Sequence, residues 1–288
     1  MFARRHLSLA TVSLAFACGL SAQDPNATDP VISEARRAAA VFVGSLPKYL
    51  VKRTTTRSEN LRPAGNDASA SGCTSSTAKA NPFECQAQAE SWRIVDIVTA
   101  DVVTDHDNEV DMNIRLNGAP STEKQLDSAG SWSEGDFNGA LQAILAPTSN
   151  ALFTKKRAVT LAKRPAWRYE YSVDQAHSGW QLSWNSVGKM MTLQPAFGGT
   201  IWIDRDTSRV LSFDMAARNL PESFPYTKAE WTIDYDFVKV GDGSYLLPKH
   251  SETDNCERNI SKCTRNVTEF QNYKEYVANT NISFDEGK

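Results

Sequence analysis

The sequence has almost no excess charge of either sign, since 31 Lys and Arg residues face 34 Asp and Glu residues over 288 positions. A nucleic-acid-binding protein needs a basic surplus to neutralise phosphates, so this balance argues against that class. Hydrophobic residues make up 41% of the chain and charged residues 23%. Those are ordinary globular proportions, which exclude a disordered, collagen-like or coiled-coil chain.

Recognisable catalytic motifs are also lacking. The chain contains no G-x-S-x-G elbow, no H-E-x-x-H helix and no phosphate-binding glycine loop. His106 and His177 fall in predicted turns, and His250 lies on a predicted strand beside Lys249. Because no nucleophile, base and orienting group are recognisable together, the sequence predicts a protein that is not an enzyme and needs no cofactor. A hydrolase is the residual alternative.

One segment resembles a calcium-binding loop but lacks two of the residues that such a loop requires. Asp105, Asp107, Glu109 and Asp111 alternate as loop ligands do, but the sixth position has no glycine and Leu116 stands at the twelfth. A solvated hairpin turn is therefore the better interpretation, and no metal site is predicted.

Only one long apolar run occurs, and it lies at the start of the chain. Residues 7–22 follow a short basic segment that contains Arg4 and Arg5, and they end in small residues. This pattern is typical of a secretory signal peptide over residues 1–22, cleaved after Ala22. The run is too short for a membrane span, so we expect a periplasmic or secreted protein. Lipid attachment at Cys18 remains an alternative.

Four cysteines lie outside this leader, in two close pairs, Cys73 with Cys85 and Cys256 with Cys263. An even cysteine count in an exported chain predicts disulfides, and the polar stretch inside each pair favours local pairing. Three pairings remain formally open. A zinc site would need tighter C-x-x-C spacing and nearby histidines, which the sequence lacks.

Two helices are predicted among many strands. The first follows Pro30, with Val31, Ala35, Ala38, Val41 and Phe42 on its apolar stripe, and the second spans 132–146. A strand begins at Tyr49, and two more surround a turn at 105–108. The composition of residues 58–90, rich in Ala, Ser, Thr, Asn, Gly and Pro, predicts a flexible insertion.

The second half of the chain alternates apolar and polar residues with the period of a strand. The apolar positions are Trp167, Tyr169, Tyr171 and Val173, then Trp180, Leu182 and Trp184, then Trp231, Ile233, Tyr235 and Phe237. Hairpin turns are predicted at 177–179, 204–208 and 241–243, and the last strand, 265–276, is expected to contain a bulge. Such patterning indicates an antiparallel sheet with one buried face.

The predicted fold is mainly β with α. One domain over residues 23–288 should form a curved antiparallel sheet, a half-barrel, with two or so helices on its concave side. Two helices cover one face only in part, so an apolar cavity is expected there. The candidate ligand-binding residues are Trp167, Tyr169, Trp180, Leu182 and Trp184. Core packing is the alternative for each of them.

Two segments carry a resemblance to a known family. Residues 199–211, GTIWIDRDTSRVL, and residues 235–248, YDFVKVGDGSYLLP, resemble successive hairpins of the LolA-like and RseB-like periplasmic superfamily. The resemblance covers about 167–276 and implies a half-barrel plugged by helices. It implies binding of a hydrophobic ligand or lipoprotein acyl chain. An envelope sensor or scaffold that binds another protein is the alternative. The 58–90 insertion and the cysteine pairs are not general features of that superfamily.

Processing and cysteine pairing can be tested together on protein purified from its own host. We expect an intact mass for a chain beginning at or near Gln23, and non-reducing peptide maps that link Cys73 to Cys85 and Cys256 to Cys263. A chain that keeps Met1, or a lipid-modified chain starting at Cys18, would contradict the export prediction. A link between Cys73 and either distal cysteine would contradict local pairing.

Overall fold

The computed structural model describes residues 29–45, 48–61, 92–105, 108–122, 125, 139–186, 189–258 and 262–276. The predicted signal peptide, Cys73, Cys85 and most of the predicted insertion lie outside these residues. Helix α1 spans Pro30–Ser45 and helix α2 spans Gly139–Leu145. Short 3-10 turns lie at Pro147–Ser149 and Gln175–His177.

Thirteen strands are described. The first seven are β1 Tyr49–Leu61, β2 Arg93–Asp105, β3 Asn108–Leu116, β4 Ala119–Pro120, β5 Leu152–Leu161, β6 Arg164–Val173 and β7 Leu182–Ser186. The other six are β8 Lys189–Leu193, β9 Ala196–Asp204, β10 Val210–Arg218, β11 Tyr226–Val240, β12 Gly243–Glu257 and β13 Lys262–Glu275.

Eleven of these strands form one open antiparallel sheet in the order β4-β3-β2-β1-β13-β12-β11-β10-β9-β6-β5. Strands β7 and β8 pair only with each other in a small side sheet. The large sheet has free edges at β4 and β5, so it is not closed, and this arrangement fits a curved half-barrel. The prediction of a mainly β fold with two helices on an antiparallel sheet is confirmed.

The hairpin predicted at 177–179 is wrong. Strand β6 pairs with β5 and β9, whereas β7 pairs with β8 outside the large sheet. Trp180 precedes β7, so it lies outside any strand. Residues 167–173 and 180–184 both alternate apolar and polar side chains. This alternation indicates strands but not their partners, because pairing depends on contacts between residues that are distant in sequence.

Two sequence predictions concern strand ends: the bulge in the last strand and the start of the insertion after β1. The bulge predicted in the last strand is confirmed: Leu50 pairs with Lys274 but Lys52 pairs with Gln271, and the extra backbone includes Asn272 at a φ of 60°. Strand β1 continues to Leu61, so residues 58–61 belong to the sheet and not to the predicted insertion.

The predicted disulfide Cys256–Cys263 is confirmed. The two residues face each other on β12 and β13, with their Cα atoms 4.0 Å apart. The bond therefore closes the end of one hairpin, as local pairing requires.

Helix α1 buries a face slightly rotated from the predicted stripe. Ile32, Ala35 and Ala39 are buried, whereas Val41, predicted on the stripe, is 63% exposed. The side chain of Arg36 is half-buried with its guanidinium over the Phe153 ring. The 3.6-residue period indicated the helix correctly but left its rotation uncertain by one position.

Asp29 attaches the start of α1 to the sheet. Its carboxylate accepts the backbone N–H of Val31 at 2.9 Å, an N-cap ahead of Pro30 at the first helical position. The same carboxylate accepts Lys156 Nζ on β5 at 3.0 Å and the Tyr169 hydroxyl on β6 at 2.9 Å. Burial would raise the pKa of Asp29, but these hydrogen bonds outweigh it and the pKa is lowered.

Asp204 organises the hairpin that carries the family resemblance. One of its carboxylate oxygens accepts the N–H groups of Asp206 and Thr207 and the Thr207 hydroxyl. The other accepts Arg164 Nε at 2.5 Å. The short connection between β9 and β10 is therefore closed by a fully buried carboxylate.

The attachment of α1 predicts a pH effect. A lowered folded pKa contributes stability above the unfolded carboxyl pKa of about 4, and this contribution is lost as pH falls through the folded value. Asparagine caps a helix about as well as aspartate. Asp29→Asn should therefore lose only up to about 1 kcal/mol of unfolding free energy at pH 7, because the charged acceptor of the Lys156 and Tyr169 hydrogen bonds becomes neutral. It should also show a smaller loss than the parent between pH 5 and acid, since the substituted side chain does not titrate.

Denaturant unfolding at several pH values measures both effects. Asp242→Asn, in the exposed β11–β12 turn, is the matched control and should behave as the parent does. Equal acid sensitivity in the parent and Asp29→Asn would contradict the role assigned to Asp29.

Candidate functional site

The five residues predicted to bind a ligand fall into two groups. Trp167 and Tyr169 lie on β6, whereas Trp180, Leu182 and Trp184 lie in and before the side-sheet strand β7. Tyr169, Trp180 and Leu182 are buried, and the two other tryptophans pack against the same core cluster. A continuous set of ring contacts joins the groups, running from Tyr169 through Phe153, Tyr171 and Phe197 to Trp180.

The β6 group lies beside the N-terminus of α1. The Tyr169 hydroxyl donates to Asp29, and burial followed by this hydrogen bond raises the pKa of Tyr169. The Trp167 ring is half-buried, with Lys156 Nζ 4.6 Å and the Arg205 guanidinium 4.8 Å from its centroid. Both cations can interact with the indole π face. This pair of residues therefore supports the attachment of α1 as well as the core.

The β7 group joins the side sheet to the rest of the molecule. Trp180 meets Phe197 edge-on at 5.7 Å, and Trp184 Nε1 donates to Glu257 at 3.2 Å. Gly179 lies against Ala143 of α2, where an added Cβ would be 3.5 Å from the helix backbone. These contacts hold β7 and β8 over the core, and a ligand-binding role for the group stays a prediction.

An apolar groove lies elsewhere, between the two helices and strands β10 to β12. Its lining consists of Ala35, Ala38 and Ala39 from α1, Leu141 from α2, Arg209 from the β9–β10 turn, Val210 from β10, Tyr235 from β11 and Leu246 from β12. The groove holds about 310 Å³ of space open to solvent, of which about 20 Å³ can take the centre of a water-sized sphere. None of the five predicted residues lines it.

The groove exists because α1 presents alanines where larger side chains would fill the space. A methyl group covers little of the sheet beneath it, so space remains above Val210 and Leu246. Part of this lining could be identified from the sequence, since Ala35 and Ala38 are on the predicted apolar stripe of α1. The strand residues that complete the lining could not be chosen without knowing the sheet order.

The groove opens on a sheet face whose chemistry changes from strand to strand. One row of paired residues crosses this face from Thr55 to Tyr169. Its members, in spatial order, are Thr55, Thr268, Ser251, Ile233, Phe213, Ile201 and Tyr169. The last four belong to the core under the helices, whereas the first three are buried and polar. We call this the inner face, with a polar half and an apolar half.

Buried ion pairs and hydroxyl pairs hold the polar half together. Arg57 of β1 donates Nε and Nη2 to the two carboxylate oxygens of Asp96 on β2, at 2.6 and 2.8 Å. Arg53 pairs with Asp111 of β3. Hydroxyl pairing between Thr55 and Thr268 occurs at 2.9 Å. Sequence reasoning missed both arginines, although the alternation of Arg53, Thr55 and Arg57 in β1 places them on one face.

The two described histidines lie in different parts of the fold. His177 is exposed at the end of the second 3-10 turn, and His250 Nδ1 lies 2.8 Å from Glu269 on the facing strand. In the described ranges, no group of three or more His, Cys, Asp or Glu could hold a metal ion. No described helix is long and apolar enough to cross a membrane.

Comparisons with known proteins give one distant neighbour. No protein-family model matches this sequence, and no curated protein matches it. The chain is similar to a crystal structure of a DUF1329 family protein from Desulfovibrio piger, with a TM-score of 0.36 and 11% sequence identity. The match covers 87% of this chain and 95% of that one. The resemblance to the LolA-like and RseB-like superfamily stays a prediction.

The buried pair in the polar half predicts a large effect on stability. Arg57 and Asp96 are 3% and 6% exposed, so Arg57→Met would leave the Asp96 carboxylate buried without its partner. The expected cost is about 3–5 kcal/mol of unfolding free energy, measured by denaturant titration. Replacing both residues, as Arg57→Met with Asp96→Leu, should recover most of that loss because no charge is then buried.

Arg93 supplies a matched control for this prediction. Its pair with Glu59 joins the same two strands, but the arginine side chain is 71% exposed. Arg93→Met should cost less than about 1 kcal/mol. Similar losses from Arg57→Met and Arg93→Met would contradict the importance of burial.

Proposed function

We propose that this protein is an exported, non-enzymatic binding protein that takes a hydrophobic ligand, such as an acyl chain, in the cell envelope. The observation that carries the proposal is the apolar groove between α1, α2 and strands β10 to β12. About 20 Å³ of the groove admits the centre of a water-sized sphere, room for about one water, so a ligand must widen it. Apolar surroundings with a few polar groups are typical of ligand sites.

The way α1 is held supports a groove that can widen. Polar anchoring of this helix is concentrated at Asp29, where one carboxylate contacts Val31, Lys156 and Tyr169. The groove-lining residues farther along the helix, Ala35, Ala38 and Ala39, offer only methyl groups to the sheet. Alanine methyl groups add less to the apolar area uncovered when this part of α1 moves than larger side chains would, and the free-energy cost scales with that area. A ligand that fills the widened space would offset that cost.

The proposed function also requires that the protein is exported and that it retains its ligand. The basic segment and apolar run of residues 1–22 favour a periplasmic or secreted location. The resemblance of residues 199–211 and 235–248 to LolA-like hairpins favours an acyl ligand or lipoprotein as the occupant. Neither inference involves a reaction, so the proposed protein carries its ligand without changing it.

A bulky substitution in the groove tests the proposal directly. Ala38→Leu places a larger side chain in the groove, whereas Ala40→Leu makes the same change at an exposed position of the same helix. The mature protein is titrated with N-phenyl-1-naphthylamine, a neutral dye that fluoresces in apolar surroundings. Ala38→Leu should bind roughly tenfold more weakly than the parent, because overlap with an inserted side chain costs on the order of 1–3 kcal/mol.

The control variant Ala40→Leu should bind as the parent does. Circular dichroism melts of all three proteins separate loss of binding from loss of folding. No saturable dye binding by the parent would overturn the proposal. Equal weakening by the two substitutions would show that the dye binds somewhere other than this groove.

A further inference from the structure

One charged side chain lies in the otherwise apolar lining of the groove. Arg209 immediately precedes Val210, the first residue of β10. Its backbone is held by the β9–β10 turn, since its carbonyl accepts the Asp204 N–H at 2.8 Å and its N–H donates to the Thr207 hydroxyl at 3.4 Å. The turn therefore fixes the position of Arg209 while its guanidinium remains available to the groove.

Within the described residues, the Arg209 guanidinium has no ion pair or hydrogen bond. Three acids, two of them in the same turn, form no ion pair with Arg209. Asp204 is bound by Arg164 and by the turn, and Asp236 pairs with Lys249 at 3.2 Å. Asp206 is exposed and makes no ion pair with Arg209. A guanidinium on an apolar surface without an acidic partner is a site for an anionic ligand group.

The charge and size of the site restrict the ligand further. A single guanidinium neutralises one negative charge, which matches a carboxylate, whereas a phosphate monoester carries about 1.5 to 2 negative charges at neutral pH. Arg205, the nearest cation along the turn, lies over Trp167 and is not part of the lining. The groove as it stands has room for about one water, so an occupant must widen it, and one chain requires less widening than two.

We propose that the groove binds a single-chain amphiphile with a carboxylate head group, such as a free fatty acid, with the carboxylate paired to Arg209 and the chain against the alanines of α1. This inference rests on the proposed function and specifies its ligand. Arg209 forms two parallel N–H···O bonds with the carboxylate, which fixes the orientation of the chain in the groove.

A ligand series of equal chain length tests the head group. Isothermal calorimetry of the mature protein with dodecanoate, dodecanol and dodecyl phosphate compares a single charge, no charge and a higher charge on one chain. The parent should bind dodecanoate at least about tenfold more tightly than dodecanol, as expected for a charge-assisted pair. Arg209→Met retains an apolar side chain of similar length and should bind the two ligands equally. Arg205→Met should keep the preference of the parent.

The outcomes distinguish this inference from the function on which it rests. Equal affinity of the parent for dodecanoate and dodecanol, or a preference that survives Arg209→Met, would overturn the carboxylate site and leave hydrophobic binding intact. Tighter binding of dodecyl phosphate than of dodecanoate would also overturn it. If neither the dye nor any of the three amphiphiles binds the parent, the proposed function itself fails.

Discussion

The inner face of an open eleven-stranded sheet must either be covered by apolar packing or have its buried polar groups hydrogen-bonded. The two described helices cover only part of this face. This constraint divides the face. Under the helices, Ile233, Phe213 and Ile201 are fully buried and apolar. Across β12, β13 and β1, the same row continues as Ser251, Thr268 and Thr55, which are also buried. Hydrogen bonds and ion pairs across the strands replace apolar packing there, because a buried polar group without a partner is costly.

The position of α1 follows from the same division. One end of the helix is tied to β5 and β6 through Asp29, on the apolar side of the sheet. Its middle passes over β10 and toward β12, where Tyr235 and Leu246 line the groove. Larger side chains on this part of α1 would close the space over these strands. The alanines instead leave a groove where the helix-covered part of the inner face ends.

Local pattern was sufficient to predict the elements but not their neighbours. The period of Val31, Ala35 and Ala38 gave α1, and the alternation in 231–237 gave β11. Strand partners could not be predicted from this alternation, because it is the same for a strand in the large sheet and for one in the side sheet. The hairpin wrongly predicted between β6 and β7 is the example. The arginines of β1 were missed because charged residues usually face solvent, and only a partner such as Asp96, 39 positions away in sequence, makes their burial favourable.

The predicted ligand-binding residues and the groove lie in different places for a physical reason. Large aromatic residues attract notice in a sequence because they bury much area, and for that reason they fill space instead of leaving it. Trp180 and Tyr169 are joined by ring contacts through Phe197, Tyr171 and Phe153, so the space between them is occupied. Open volume arises where side chains are small, as along α1. Arg209 lies beside this volume, and under the proposed function its charge would decide which ligand chemistry the space favours.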